Sequence, residues 1–132
     1  MRVFMIKPKG GGAQRPIITH ARGKTLAEWR AAIVQAAIKA RVPVMLGPVF
    51  VKLLIILPAP TSRPSVLTTQ KQMDYWLRPW RQPDLDKLSR SIADAMTGVV
   101  FNDDAQIVRL LAEKVYANEG ERPGVDITIE AL

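Results

Sequence analysis

Nine consecutive residues of this 132-residue chain, Val49-Phe50-Val51-Lys52-Leu53-Leu54-Ile55-Ile56-Leu57, are apolar at every position but one and are closed in by Pro48 and Pro58. The run is rich in β-branched side chains and too short for a long helix, so it reads as a central strand. It also falls well short of the roughly 20 apolar residues that a membrane-spanning helix needs, and no membrane segment is expected. A buried strand demands neighbours in a sheet and elements packed over it, which points to a domain mixing helices with strands.

The other elements follow from spacing. Arg2 to Ile6 predicts a short strand, Lys7-Pro8-Lys9-Gly10-Gly11-Gly12 a basic glycine-rich turn, and Pro16 to His20 a second strand. The turn could offer backbone N–H groups to a phosphate, but no Gly-Lys-Ser/Thr ending opens a helix after it, and a plain connection explains it equally well. Thr25-Leu26-Ala27-Glu28 fits a capping box, and Leu26, Trp29, Ile33, Ala36, Ala37 and Ala40 recur at helical spacing. That predicts a helix over about 25–41, anchored in the core by Trp29 and stopped by Pro43. Leu85, Leu88, Ile92, Ala95 and Met96 predict a second helix over residues 84–97, ending at Gly98. Ile107 to Tyr116 and Val125 to Ile129 read as strands. Residues 58–83 hold five of the ten prolines and are expected to form a long loop of the kind that carries function. With no repeat and no low-complexity tract, residues 1–132 are expected to form a single domain.

Composition narrows the chemistry. The absence of cysteine excludes disulfide frameworks, thiolate zinc sites and cysteine nucleophiles, and the single His20 cannot supply a multi-histidine centre. Any metal must be held mainly by oxygen. The N-terminus lacks the sustained apolar region of a secretory signal, so a cytoplasmic location is expected. Charge divides unevenly: residues 1–82 carry 14 Lys/Arg against Glu28 and Asp74, whereas residues 83–132 carry five against ten acidic residues. A basic half of that density attracts a polyanion, and an acidic half repels it unless its carboxylates gather around a cation. At the boundary, Tyr75-Trp76-Leu77-Arg78-Pro79-Trp80-Arg81-Gln82 interleaves aromatic rings with arginines. Arginines pair with phosphates and indoles stack on exposed bases, although Trp76 and Trp80 would serve equally as pins holding the loop to the core.

Asp84 and Asp86 stand at the start of the second helix, and Asp103 and Asp104 in a turn soon after it. An aspartate at an N-cap is worth about 1 kcal/mol, which accounts for either of the first two alone. If Asp84, Asp86 and Asp104 converge, each pair of charges at about 4 Å costs roughly 4 kcal/mol at an effective dielectric near 20. That exceeds the cap, and such a cluster persists only by taking up protons or a divalent cation such as Mg²⁺, Mn²⁺ or Ca²⁺. The spacing is not that of an EF-hand, since Lys87, Leu88 and Ser89 follow Asp86 where oxygen ligands and a glycine are required.

Three ordered segments, Pro83-Asp84-Leu85-Asp86-Lys87-Leu88, Asp94-Ala95-Met96-Thr97-Gly98-Val99-Val100 and Asn102-Asp103-Asp104-Ala105-Gln106-Ile107-Val108, resemble the signature of the RusA family of Holliday junction resolvases. The match is strong over residues 83–117 and looser over residues 2–41. It implies an α/β (α+β) fold with a small mixed β-sheet flanked by two main helices. It further implies a homodimer that nicks four-way DNA junctions at paired symmetric positions with Mg²⁺, for which Mn²⁺ is the expected substitute. By motif position the catalytic, metal-holding carboxylates would be Asp84, Asp86 and Asp104. Asp103 is a further candidate ligand, and Asp94 is a motif member. The family's basic side chain four residues after the second aspartate is Arg90 here, and Lys87 replaces an asparagine, leaving open which cation meets the scissile phosphate.

The residue types suit that chemistry on their own. A carboxylate-held metal ion activates water and stabilises a leaving oxygen, and Arg90, one helical turn beyond Asp86, is placed to neutralise transition-state charge. An ordinary Asp86–Arg90–Asp94 ion-pair ladder is the plainer role for that arginine. The candidate DNA contacts are Lys7, Lys9, Arg15, Arg78, Arg81, Lys87, Trp76 and Trp80. Two rival readings keep the same basic half: a nucleic-acid-binding module without catalysis, and a nuclease acting more broadly on branched DNA.

Overall fold

A computed structural model of the chain describes residues 2–5 and 25–132. Lys7, Lys9, Arg15, the glycine-rich turn, the strand expected over Pro16–His20 and the side chains of residues 25–29, Trp29 included, lie outside the described residues. The sheet is built from β1 (Arg2–Met5), β2 (Val49–Leu57), β3 (Ile107–Tyr116) and β4 (Gly124–Ala131), in the order β1-β4-β2-β3. The apolar run of the sequence is β2, and it is central: β3 pairs with it in parallel and β4 antiparallel, while β1 runs antiparallel to β4. The sheet is therefore mixed, in an α+β fold, as expected. β4 extends further in both directions than the alternating pattern of Val125 to Ile129 suggested.

Among the described residues three helices accompany the sheet: α1 (Thr25–Ala40), the short α2 (Gln70–Trp76) and α3 (Leu85–Met96). Alternation along β2 turns Val49, Val51, Leu53, Ile55 and Leu57 toward one face, where they are buried with Val125, Ile127 and Ile129 of β4. Ile33 and Ala37 of α1 and Leu88, Ile92, Ala95 and Met96 of α3 close over that face. Each such Leu or Ile contributes about 1.5–3 kcal/mol by leaving water. Ser89, the polar residue within this stripe of α3, is satisfied by donating to the Leu85 carbonyl at 2.8 Å. Arg30 of α1 donates to the Asp94 carbonyl of α3 at 2.8 Å, tying the two helices together near one end.

The end of α1 departs from the simple expectation of a proline stop. Val42 N–H donates to the Ala37 carbonyl at 3.0 Å and Arg41 N–H to the Ile38 carbonyl at 3.1 Å, while Arg41 adopts φ of 55°. This is a Schellman ending with arginine in the left-handed position that glycine ordinarily fills, and Val42 supplies its apolar contact with the core.

The expected loop over residues 58–83 is interrupted by α2. Its start is a capping box: Gln72 N–H donates to Thr69 Oγ1 at 3.1 Å, and Thr69 N–H donates back to Gln72 Oε1 at 3.2 Å. The signal was present as Thr-x-x-Gln in a stretch free of proline between Pro64 and Pro79, and the flanking prolines masked it. Replacing Arg41 by glycine is expected to raise the unfolding free energy by about 1 kcal/mol, because a left-handed L-residue costs about that much. A urea titration measures it, and a lower midpoint in Arg41→Gly would contradict the assignment.

Candidate active site

Parallel strands cannot be joined by a tight turn, so after β2 the chain returns across the sheet through α2 and α3 before entering β3. Asp84 lies at the start of that final helix. Its backbone has the extended conformation of an N-cap (φ −70°, ψ 138°) and its carbonyl accepts from Leu88 N–H at 3.0 Å, yet its carboxylate caps nothing. Instead it faces Lys87 Nζ at 3.4 Å, an exposed pair worth at most about 1 kcal/mol. Asp86 is exposed in the first turn and, among the described residues, its side chain has no hydrogen bond or ion pair. Both carboxylates thus sit at the positive end of α3 and, among the described residues, accept no hydrogen bond, with Asp84 engaged only by the exposed Lys87.

A residue that sequence reasoning missed fixes this end of the helix. Lys114 of β3 donates from Nζ to the carbonyls of Arg81 at 2.7 Å and Pro83 at 2.8 Å, clamping the turn immediately before Asp84 to the sheet. Within an otherwise ordinary strand pattern a lysine carries no signal of that role. Arg90 is exposed on α3, and the Asp86–Arg90–Asp94 ladder does not form among the described residues. Its guanidinium has no partner among the described residues.

The second acidic pair divides. Asp103 caps the 3₁₀ turn Asp104–Gln106 through Oδ1, which accepts from Ala105 N–H at 2.9 Å. Gln106 answers with Oε1 accepting from the N–H groups of Asn102 and Asp103, and its Nε2 donates to the Met45 and Gly47 carbonyls, each at 2.9 Å. Gln106 is a second missed residue, legible in hindsight as the fourth member of a capping box, Asp-x-x-Gln. Asp104, by contrast, has an exposed side chain with no partner among the described residues.

One chain brings Asp84 and Asp86 together and leaves Asp104 apart. Lys114 marks the Asp84 end of β3, and Asp104 stands just before Ile107 at the other end. The intervening strand spans about 20 Å at roughly 3.3 Å per residue. Among the described residues no three acidic or imidazole side chains gather closely enough to hold a metal. The physical reason is the crossover: α3 runs opposite to β3, so the residues that open the helix and those that open the strand occupy opposite ends of the sheet.

Beside Asp84 the aromatic segment is ordered. Trp76 is half-buried and meets Tyr75 edge to face at 4.9 Å, while Trp80 is 60% exposed and donates from Nε1 to the Tyr75 carbonyl at 3.2 Å. Arg81 lies over the Tyr75 ring at 4.4 Å, and Arg78 is exposed. Lys87 is exposed toward the same helix start. If the Lys114 clamp holds this region, Lys114→Met strands two carbonyls and should lower the unfolding free energy by about 1–3 kcal/mol. Thermal unfolding tests this, and an unchanged midpoint would contradict it.

The profile of the Endodeoxyribonuclease RusA family matches residues 6–130. The chain is also similar to the uncharacterized protein YqaN of Bacillus subtilis (strain 168), at 31% identity over 90 residues, covering 67% of this chain and 61% of that protein. It thus spans less than two thirds of that relative's length. No helix among the described residues is long and apolar enough to cross a membrane. With nearly its whole length matched, and with the paired aspartates at the start of α3 within the matched region, the chain belongs to the RusA endodeoxyribonuclease family.

Proposed function

We propose that the protein is a divalent-metal-dependent endodeoxyribonuclease that resolves four-way DNA junctions by paired symmetric nicks, acting as a homodimer in the bacterial cytoplasm. The observation that carries this reading is the state of Asp84: a carboxylate at a helix start that declines the capping hydrogen bond, beside Asp86, whose side chain has no partner among the described residues. The donor set is all hard oxygen and suits Mg²⁺ or Mn²⁺.

The third carboxylate is best supplied by a second chain. β3 is an edge strand of ten residues among the described ones, and Val108, Leu110 and Leu111 are 62%, 49% and 59% exposed along it. Such an edge is a template for pairing with another strand. Antiparallel pairing of β3 with its symmetry mate sets the start of one strand against the end of the other. Asp104 of each protomer then approaches the helix start carrying Asp84 and Asp86 of the other, and two equivalent sites form, as paired nicking requires. Asp103, committed to its cap, serves to hold the turn.

A metal ion held by Asp84, Asp86 and Asp104 would supply an activated water and polarise the phosphoryl oxygens. The chain's own cations do the rest. Arg90 lies one turn along α3 from Asp86 and offers a guanidinium to the charge developing on the transferred phosphate. Lys87 screens the Asp84 carboxylate as the DNA backbone approaches. Arg78 and Arg81 draw the arms to this end of the sheet by phosphate contacts.

Asp84→Asn and Asp104→Asn should each abolish Mg²⁺-dependent nicking of a labelled four-way junction while preserving its binding. Mixing the two inactive variants should restore nicking at one of the two positions, because one site of the mixed dimer keeps all three carboxylates. Absence of rescue, with mixed dimers demonstrated, would contradict the two-chain site. Persistent nicking by both variants would contradict the carboxylate assignment itself, and linear duplex, flap and fork substrates in the same assay distinguish a resolvase from a broader nuclease. Arg78→Ala should weaken junction binding and reduce the slope of log affinity against log salt by about 1. An unchanged slope would exclude Arg78 as a phosphate contact.

A further inference from the structure

The segment between β2 and α3 encloses a cavity of about 360 Å³ that the reading above does not use. Its floor is Leu57 and Tyr116 at the ends of β2 and β3, its walls include Tyr75 and Trp76 of α2, and its rim reaches Pro83, the residue before Asp84. The volume lies in the range of small-molecule sites rather than of packing defects. We infer that this cavity receives one unstacked nucleobase of the strand being nicked and so sets which sequences are cut. This rests on the nuclease reading and adds its sequence selectivity.

Three features favour a base over another occupant. Three aromatic side chains, Tyr75, Trp76 and Tyr116, stand among the prolines and Leu57 of the lining, and flat rings stack on any base. Polar groups are few and able to read an edge: Thr61, Ser62 and Gln82 line the same space, the amide offering both a donor and an acceptor. Charge at the mouth suits a nucleotide's phosphate, since Arg81 lines the cavity with its guanidinium held at 4.4 Å over Tyr75 and 5.3 Å over Trp80.

The cavity is also preorganised. Arg63 donates to the Trp76 carbonyl at 3.4 Å, Trp80 to the Tyr75 carbonyl at 3.2 Å, and Lys114 holds the Arg81 and Pro83 carbonyls. The last contact matters most. The lysine that fixes Asp84 fixes the cavity rim as well, so a base seated here is registered against Asp84, one residue beyond Pro83.

The test uses four-way junctions with a mobile core, which present many sequences at the crossover, with nicks mapped to the nucleotide. The wild-type protein should favour one base at a fixed offset from the cut, and an abasic nucleotide at that offset should slow nicking about 10-fold. Two variants act on the cavity differently: Tyr75→Ala removes a wall, and Ser62→Trp fills the space from an exposed position without touching the core. In both, rates at favoured and disfavoured sites should converge, and the abasic substitution should lose its effect. The preference surviving unchanged in Ser62→Trp, or an abasic site leaving wild-type nicking unaltered, would overturn the inference while the nuclease stands. A wild-type protein that nicks no junction would instead overturn the parent reading, and the inference with it. An independent readout comes from Asp104→Asn bound to a junction carrying 2-aminopurine at the same offset. Emission should change on binding, adding Ser62→Trp should abolish that change, and equal emission in the two proteins would count against a seated base.

Discussion

Parallel pairing between β2 and β3 governs the molecule. Two parallel neighbours oblige the chain to travel back along the sheet before the second can begin, and the return path carries the residues proposed above for the site. It begins with the proline-rich segment, passes through α2 and the aromatic turn, and ends in α3, whose apolar stripe seals the core over β2. Asp84 is therefore positioned by the sheet, through Lys114, rather than by the loop that precedes it. The same topology separates Asp84 from Asp104 by the length of a strand. A site needing both is incomplete in one chain, and an exposed apolar edge on the very strand that separates them offers a second chain a place to pair.

Electrostatics completes the picture. Four of the ten carboxylates of the acidic half stand at the two turns that flank α3. Asp103 is committed to a turn, whereas among the described residues Asp84 meets only the exposed Lys87 and the side chains of Asp86 and Asp104 have no partner, which suits them to the proposed cation. Asp84 and Asp86 stand where the chain switches from basic to acidic, with Arg78, Arg81, Lys87 and Arg90 close by in sequence. A phosphate backbone can be held by the cations while the reacting bond is presented to the carboxylates, and mutual repulsion of the acids falls once a metal ion is shared among them.

Much of this was legible without coordinates. β2 and β3 occupy the residues that apolar run and flanking turns assigned to them, and α3 follows its heptad-like stripe from Leu85 to Met96. These readings succeed because they depend on local patterns that burial enforces. α2 was lost among prolines although its capping box was present, and the clamping role of Lys114 was invisible, because a cation in a strand says nothing about which carbonyls it will meet. The convergence of Asp84, Asp86 and Asp104 within one fold was expected from motif order. Motif order does not record whether residues meet within one chain, and the antiparallel run of α3 along β3 sets Asp104 apart from Asp84 and Asp86.

The central claim is that three aspartates from two chains hold one divalent cation. Anomalous scattering from crystals grown with Mn²⁺ addresses it directly. The account predicts a manganese peak between the α3 start of one protomer, at Asp84 and Asp86, and Asp104 of the partner subunit, repeated by the two-fold axis. A peak coordinated by a single chain, or manganese bound away from all three carboxylates, would contradict it.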